Sequence, residues 1–302
     1  MLARLSLGIG ALAVALPACT QSSPVIRVNV RLVHLLATVK DSHGQPVTGL
    51  MKSDFQVFDS GVAQEISVFE RHSEVPLSVS VLVDTSGSTG KDLKYETDSV
   101  ARFFRALVGE GNPADAAALY SFNWEVNQVR GFTRRIASLE QALRQLRSDG
   151  GTSLYDALFL ASHNLENRDG RHVIVVVTDG GDTTSSTSYH AALEACQNAD
   201  VVLYPILVVP ITNDAGRNIG GENALTTLSQ GTGGRVFAPS VGAQLDRAFS
   251  DILRDLRTQY LIGYYPKNLP YSKDRFRPIH LTVDGPNLRA VTRTGYYGEA
   301  DR

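Results

Sequence analysis

Hydrophobic and polar positions along this chain fall into three blocks. Over residues 25–70 the period is two: Ile26, Val28, Val30 and Leu32 alternate with Arg27, Asn29 and Arg31, which predicts a half-buried strand. Asp41-Ser-His-Gly44 supplies a turn, and residues 54–61 and 66–69 predict further short antiparallel strands around a second glycine turn. Glu74-Val75-Pro76 reads as a link into the second block.

From Leu77 to Arg257, strand and helix patterns alternate. Leu77-Ser-Val-Ser-Val-Leu-Val-Asp84 turns almost wholly apolar, as a central strand of a parallel sheet does. Val100, Phe103, Phe104, Leu107 and Val108 recur at helical spacing after it. Residues 116–122 and 126–132 predict a hairpin with its tip at Asn123-Trp124-Glu125. Two helices follow, marked by Ile136, Leu139, Leu143 and Leu146 and then by Leu154, Ala157, Leu158, Ala161 and Leu165. His172-Val-Ile-Val-Val-Val-Thr178 predicts a second buried strand. A polar loop to Thr187, a helix over 189–198, a strand over 201–209, a surface loop over 210–222, a short helix and a strand over 235–237 complete the block, with a last helix carrying Leu245 to Leu256.

The third block returns to β patterning at residues 259–266, 276–284 and 288–293. Neither it nor residues 25–70 has enough strands to bury a face alone. The expectation is an α/β fold over 75–258, a doubly wound, mostly parallel sheet with helices on both faces. It is inserted in a small antiparallel β-sandwich built from 25–74 plus 259–298.

Composition changes this picture little. The 302 residues, 43% hydrophobic and 20% charged, describe a globular chain able to bury a core. A net charge of −2 with scattered Lys and Arg gives a nucleic-acid partner no support. The N-terminus adds more: Arg4 precedes a short apolar block, residues 5–16, which predicts an export signal over 1–18. Leu16-Pro17-Ala18-Cys19 resembles a lipoprotein cleavage site, although Pro17 departs from the small or branched residue usual there. Acylation of Cys19 would make residues 19–24 a tether for a periplasmic or cell-surface lipoprotein, and the membrane would be met only through that anchor. Without it the protein is secreted. Cys196 falls in a helical pattern as a small buried residue.

The candidate chemistry sits at strand ends. In an extended loop Asp84, Ser86 and Ser88 point the same way, and one carboxylate with two hydroxyls suits a hard divalent cation. Gly150-Gly151-Thr152-Ser153 opens a helix, and Thr178-Asp179-Gly180 ends the second buried strand. Together these stretches resemble the von Willebrand factor A-type domain and its metal-ion-dependent adhesion site, Asp-x-Ser-x-Ser, then Thr, then Asp. The resemblance assigns metal ligation to Asp84, Ser86, Ser88, Thr152 and Asp179. It implies magnesium first, with manganese or calcium as alternatives, and an open coordination position for an Asp or Glu of a partner protein. The order of segments, with Leu-Ile-Gly-Tyr-Tyr-Pro and Arg-Thr-Gly-Tyr-Tyr in the tail, is similar to A-domain proteins abundant in Acidobacteria.

Competing readings are weaker. Gly87-Ser-Thr-Gly90-Lys91 lacks the spacing of a phosphate loop, Ser86 and Ser88 lack a nucleophile elbow, and the seven His show no ligand spacing. Asp182 reads as a helix cap or an outer acid, and Trp124 with Glu125 as a partner-facing tip or an incidental loop; all three are kept as candidates for the rim of a partner site. The expected function is an exported, metal-dependent protein-binding module and not an enzyme. The alternatives are a metal-dependent hydrolase and a structural envelope protein whose ion ties loops together.

Overall fold

The computed structural model describes residues 32–71, 74–208, 218–239 and 243–298. The expected strand over residues 26–32 lies almost wholly outside them, as do the export signal, the tether and Cys19. The first described strand, β1 (Val33–Lys40), carries the same alternation onward: Val33, Leu35, Ala37 and Val39 are buried. After it come β2 (Phe55–Asp59), β3 (Val62–Gln64) and β4 (Ile66–Arg71).

The middle of the chain contributes β5 (Leu77–Asp84), α1 (Leu93–Glu110), β6 (Ala116–Phe122), β7 (Val126–Thr133), α2 (Ile136–Leu143), α3 (Leu154–Glu166), β8 (Arg171–Thr178), α4 (Tyr189–Asn198), β9 (Val201–Leu207), α5 (Ile219–Thr232) and α6 (Ala243–Arg257). The end adds β10 (Tyr260–Tyr264), β11 (Phe276–Val283), β12 (Arg289–Val291) and β13 (Gly295–Tyr297). Among the described residues no helix is long and apolar enough to cross a membrane.

Strands from both chain ends interleave in two antiparallel four-stranded sheets, ordered β12-β1-β10-β4 and β13-β11-β2-β3. Their facing sides share one core, in which Leu35, Ala37, Tyr260 and Ile262 of one sheet meet Phe55, Val57 and Leu281 of the other. Phe55 and Tyr260 pack ring on ring with centroids 5.1 Å apart. Each fully buried large apolar side chain stabilises the fold by about 1.5–3 kcal/mol, so the shared core explains why neither chain end suffices alone.

The third sheet is ordered β7-β6-β5-β8-β9, parallel except for the β6–β7 hairpin. β5 lies at its centre and is buried throughout. Period-two geometry sends Val79, Val81 and Val83 to the face covered by α1, α2 and α6, and Leu82 to the face covered by α3, α4 and α5. The expected doubly wound architecture is present, with β5 and β8 adjacent and in parallel register.

Two local expectations are corrected. Residues 210–217 lie outside the described part, but residues 219–222 are the first turn of α5 and not loop, because the Asn218 side chain caps the Gly221 N–H at 2.9 Å. The expected strand over 235–237 is a single bridge from Phe237 to Ile206, since Gly233 with φ +84° ends α5 immediately before it.

Candidate functional site

β5 ends at Asp84, and the next eight residues form a loop that delivers the chain into α1. Asp84 is fully buried. Its Oδ1 accepts the Ser86 N–H at 2.8 Å, and its Oδ2 accepts the Thr178 hydroxyl of neighbouring β8 at 2.6 Å. Thr89 Oγ1 donates to the Asp84 and Ser86 carbonyls, both at 3.0 Å, which locks the loop's curvature. The Ser86 and Ser88 hydroxyls lie 3.1 Å apart, so residues two apart do converge as their spacing predicts. Ser86 is buried while Ser88 is exposed, and the pair runs from interior to solvent.

A second loop is stapled to the first. The Gly87 N–H donates to the Gly150 carbonyl at 3.0 Å, the Asp149 N–H to the Thr85 carbonyl at 2.8 Å, and Ser148 Oγ to the Ser86 carbonyl at 2.5 Å. Thr152, two residues on, is buried. Its carbonyl accepts the Thr183 and Thr184 N–H groups, and Thr183 Oγ1 accepts its N–H. The loop after Asp179 is thereby joined as well. Asp179 follows Thr178 directly and is half-buried. The structure thus gathers Asp84, Ser86, Ser88, Thr152 and Asp179 at the carboxyl ends of β5 and β8, the switch point of the sheet, where ligands bind in open α/β folds.

The electrostatics are those of an acidic pocket, in which other carboxylates act on both Asp84 and Glu96. Burial pushes the Asp84 carboxyl up to about 6; the Thr178 and Ser86 hydrogen bonds oppose this, and Asp179 adds to it. Glu96, in the first turn of α1, is pushed up to about 8, by burial first and then by Asp84, Asp92 and Asp179. Glu96 is 1% exposed, and its Oε2 has no hydrogen-bond partner. The α1 N-terminus offers an anion about 0.3–1 kcal/mol, against a burial penalty of several kcal/mol per charge. A bound cation would remove that imbalance, and the donor set of carboxylates and hydroxyls fits a hard divalent ion. Among the described residues no three His, Cys, Asp or Glu form a group that could hold an ion by themselves.

The rim candidates take different positions. Trp124 is 60% exposed at the hairpin tip and lies against the ligand loop: a Cβ on Gly150 would sit 2.5 Å from its ring. Ser153 donates its N–H to the Asn123 carbonyl at 2.6 Å, tying tip to loop. Glu125 is exposed beside it, its N–H donated to Asn123 Oδ1. Asp182 is a cap, although not on its own helix: its Oδ1 accepts the Tyr155 N–H at the start of α3 and the Ser185 hydroxyl. Asp156 of α3 returns the contact to the Ser186 and Thr187 N–H groups.

Sequence reasoning missed Glu96 and Thr178. Glu96 precedes Val100 by four residues and Phe103 by seven, which puts it on the buried stripe of α1. A charged residue on an apolar stripe was the available signal.

The mostly parallel sheet with helices on both faces is a von Willebrand factor A-like fold. Residues 79–181 match the family model described as von Willebrand factor type A domain, and the chain carries such a domain there. No curated protein sequence matches the chain at a significant level. Similar solved structures include the vWF domain of the type V pili tip protein Mfa5 from Porphyromonas gingivalis, with 17% identity over 60% of this chain and 94% of that one and a TM-score of 0.49. A D319A mutant of the PilB minor pilin from Streptococcus sanguinis is 15% identical over 61% of this chain and 62% of that one, TM-score 0.48. An aerotolerance-related membrane protein from Bacteroides fragilis is 18% identical over 60% and 98%, TM-score 0.46.

Proposed function

We propose that the protein is an exported, metal-dependent protein-binding module. A divalent cation, magnesium first and manganese or calcium as alternatives, is held by Asp84, Ser86, Ser88, Thr152 and Asp179. Its open position takes an Asp or Glu side chain of a partner protein. The observation that carries this reading is the stapling of three loops around the buried Asp84, with the Ser86 and Ser88 hydroxyls converging on one side and the exposed Trp124 lying against the Gly150 loop. A buried acid at a strand end, surrounded by hydroxyls and further acids, is expensive without a cation and useful with one. Trp124 and Glu125 frame the site, and the aromatic ring offers the partner an apolar anchor beside the charge. The apolar block over residues 5–16 supports export, and Cys19 is the residue that acylation would modify.

The test is titration calorimetry of magnesium and manganese into the protein and its Asp84→Ala variant. A surface-display or pull-down assay for extracellular partners, with and without chelator, accompanies it. Saturable binding by the native chain alone, with partner capture that chelator reverses, is the expected result. A cation-binding native chain whose captured partners ignore chelator would leave an ion that only ties loops.

A further inference from the structure

We propose that Glu96 is the outer acid of this cation site: its buried carboxylate accepts hydrogen bonds from water in the ion's shell and sets how tightly the ion is held, without ligating it. The inference rests on the cation reading above and adds to it a residue outside the Asp-x-Ser-x-Ser, Thr and Asp set.

Position comes first. Glu96 stands in the first turn of α1, and that turn is rigidly continuous with the ligand loop. The Asp92 and Leu93 N–H groups both donate to the Thr89 carbonyl, the Glu96 N–H donates to the Asp92 carbonyl, and Thr89 Oγ1 is fastened to the carbonyls of Asp84 and Ser86. Chemistry comes second. An ionised carboxylate only accepts hydrogen bonds, yet Glu96 Oε2 has no donor, and the charges acting on Glu96 are the carboxylates of Asp84, Asp92 and Asp179. Buried acceptors without donors are rare in folded proteins, and each calls for an explanation.

Packing does not supply one. The stripe that Glu96 shares with Val100, Phe103, Phe104 and Leu107 would accept an apolar residue at that position and be the more stable for it. Nor is Glu96 one of the strand-end and loop residues from which the proposed ligand set is drawn: it stands on α1, beyond the loop that carries Ser86 and Ser88. What remains is a donor delivered with the ion. Magnesium keeps several of its waters when bound, and acceptors in the outer shell orient such waters and tune affinity.

Glu96→Gln keeps the shape of the side chain, and Glu96→Met replaces it with an apolar one. Magnesium and manganese affinities of both variants would be measured by calorimetry beside the native chain and Asp84→Ala, with thermal midpoints taken in chelator and in excess magnesium. The expected result is affinity lower by about 10–100-fold in both variants, with midpoints in chelator equal to or above native and a smaller gain on adding magnesium. A merely structural role would instead lower both midpoints together. Native-like affinity in Glu96→Gln, with none in Asp84→Ala, would overturn this inference and leave the cation site standing. Silence from the native chain would overturn both, and unfolding of both variants in chelator would make Glu96 a structural residue.

Discussion

Two buried acids lie in the two halves of this molecule and are treated in opposite ways. Asp59, at the end of β2 in the sandwich, is fully buried and saturated: Oδ2 accepts the Tyr264 and Tyr296 hydroxyls, both at 2.9 Å, and Oδ1 accepts the Ser60 hydroxyl at 3.0 Å. Glu96, at the switch point of the parallel sheet, is as deeply buried and has no donor on Oε2. The same chain that folds three hydroxyls around one carboxylate leaves the other facing more carboxylates. The contrast separates an acid whose hydrogen bonds the fold supplies from one with an oxygen that the fold leaves without a donor.

The largest effect expected to sharpen the contrast is at Asp84. Asp84→Ala removes the one carboxylate to which the strand-end hydrogen bonds converge, and cation binding should fall below detection by calorimetry. Next comes the opposite half. Asp59→Ala leaves the Tyr264 and Tyr296 hydroxyls without their acceptor, which should cost about 3 kcal/mol in urea unfolding while cation affinity stays native. A change in affinity there would break the separation between the two regions.

The pH dependence follows from the raised carboxyls. Asp84 moves from 3.8 to about 6 and Glu96 from 4.5 to about 8 on folding, so the folded state holds protons that the unfolded state releases. Their contribution to stability is fully present below about pH 4 and is lost as pH rises through 6 and then 8. In chelator, the thermal midpoint should therefore fall between pH 5 and pH 8. Excess magnesium should oppose that fall most at the alkaline end, where the acids are free of protons. A flat midpoint in chelator would mean that the pocket acids find partners after all.

How much of this was legible in the sequence differs between fold and site. The buried strands β5 and β8 of a mostly parallel sheet followed from apolar runs ending in Asp84 and Asp179, because a strand buried on both faces reads as a near-continuous apolar run. The convergence of Ser86 and Ser88 followed from period-two geometry. What escaped depends on tertiary partners. Thr178 reads as one more β-branched strand residue until β8 pairs with β5 and its hydroxyl meets Asp84. Glu96 was hidden by its neighbours, since the periodic residues around it were enough to define the helix. Asp182 was recognisable as a cap, although the helix it caps precedes it by almost thirty residues and no local pattern announces that.

The smallest effect concerns how the hairpin tip joins the ligand loop. Gly150 has φ +73°, a conformation that side chains other than glycine rarely adopt, and a Cβ there would sit 2.5 Å from the Trp124 ring. Gly150→Ala should therefore cost about 1–2 kcal/mol of stability by strain alone. It should also push Trp124 away from the loop that carries Thr152. Trp124→Ala removes the ring without touching the backbone, and as the residue is 60% exposed it should change stability by less than about 0.5 kcal/mol. Cation affinity is the discriminating measurement. If Trp124 only serves a partner, Trp124→Ala binds the ion as the native chain does and loses partner capture, while Gly150→Ala loses some of both. Equal loss of ion affinity in the two variants would instead make the ring a support of the ligand loop, and the partner's anchor would have to be sought elsewhere on the rim.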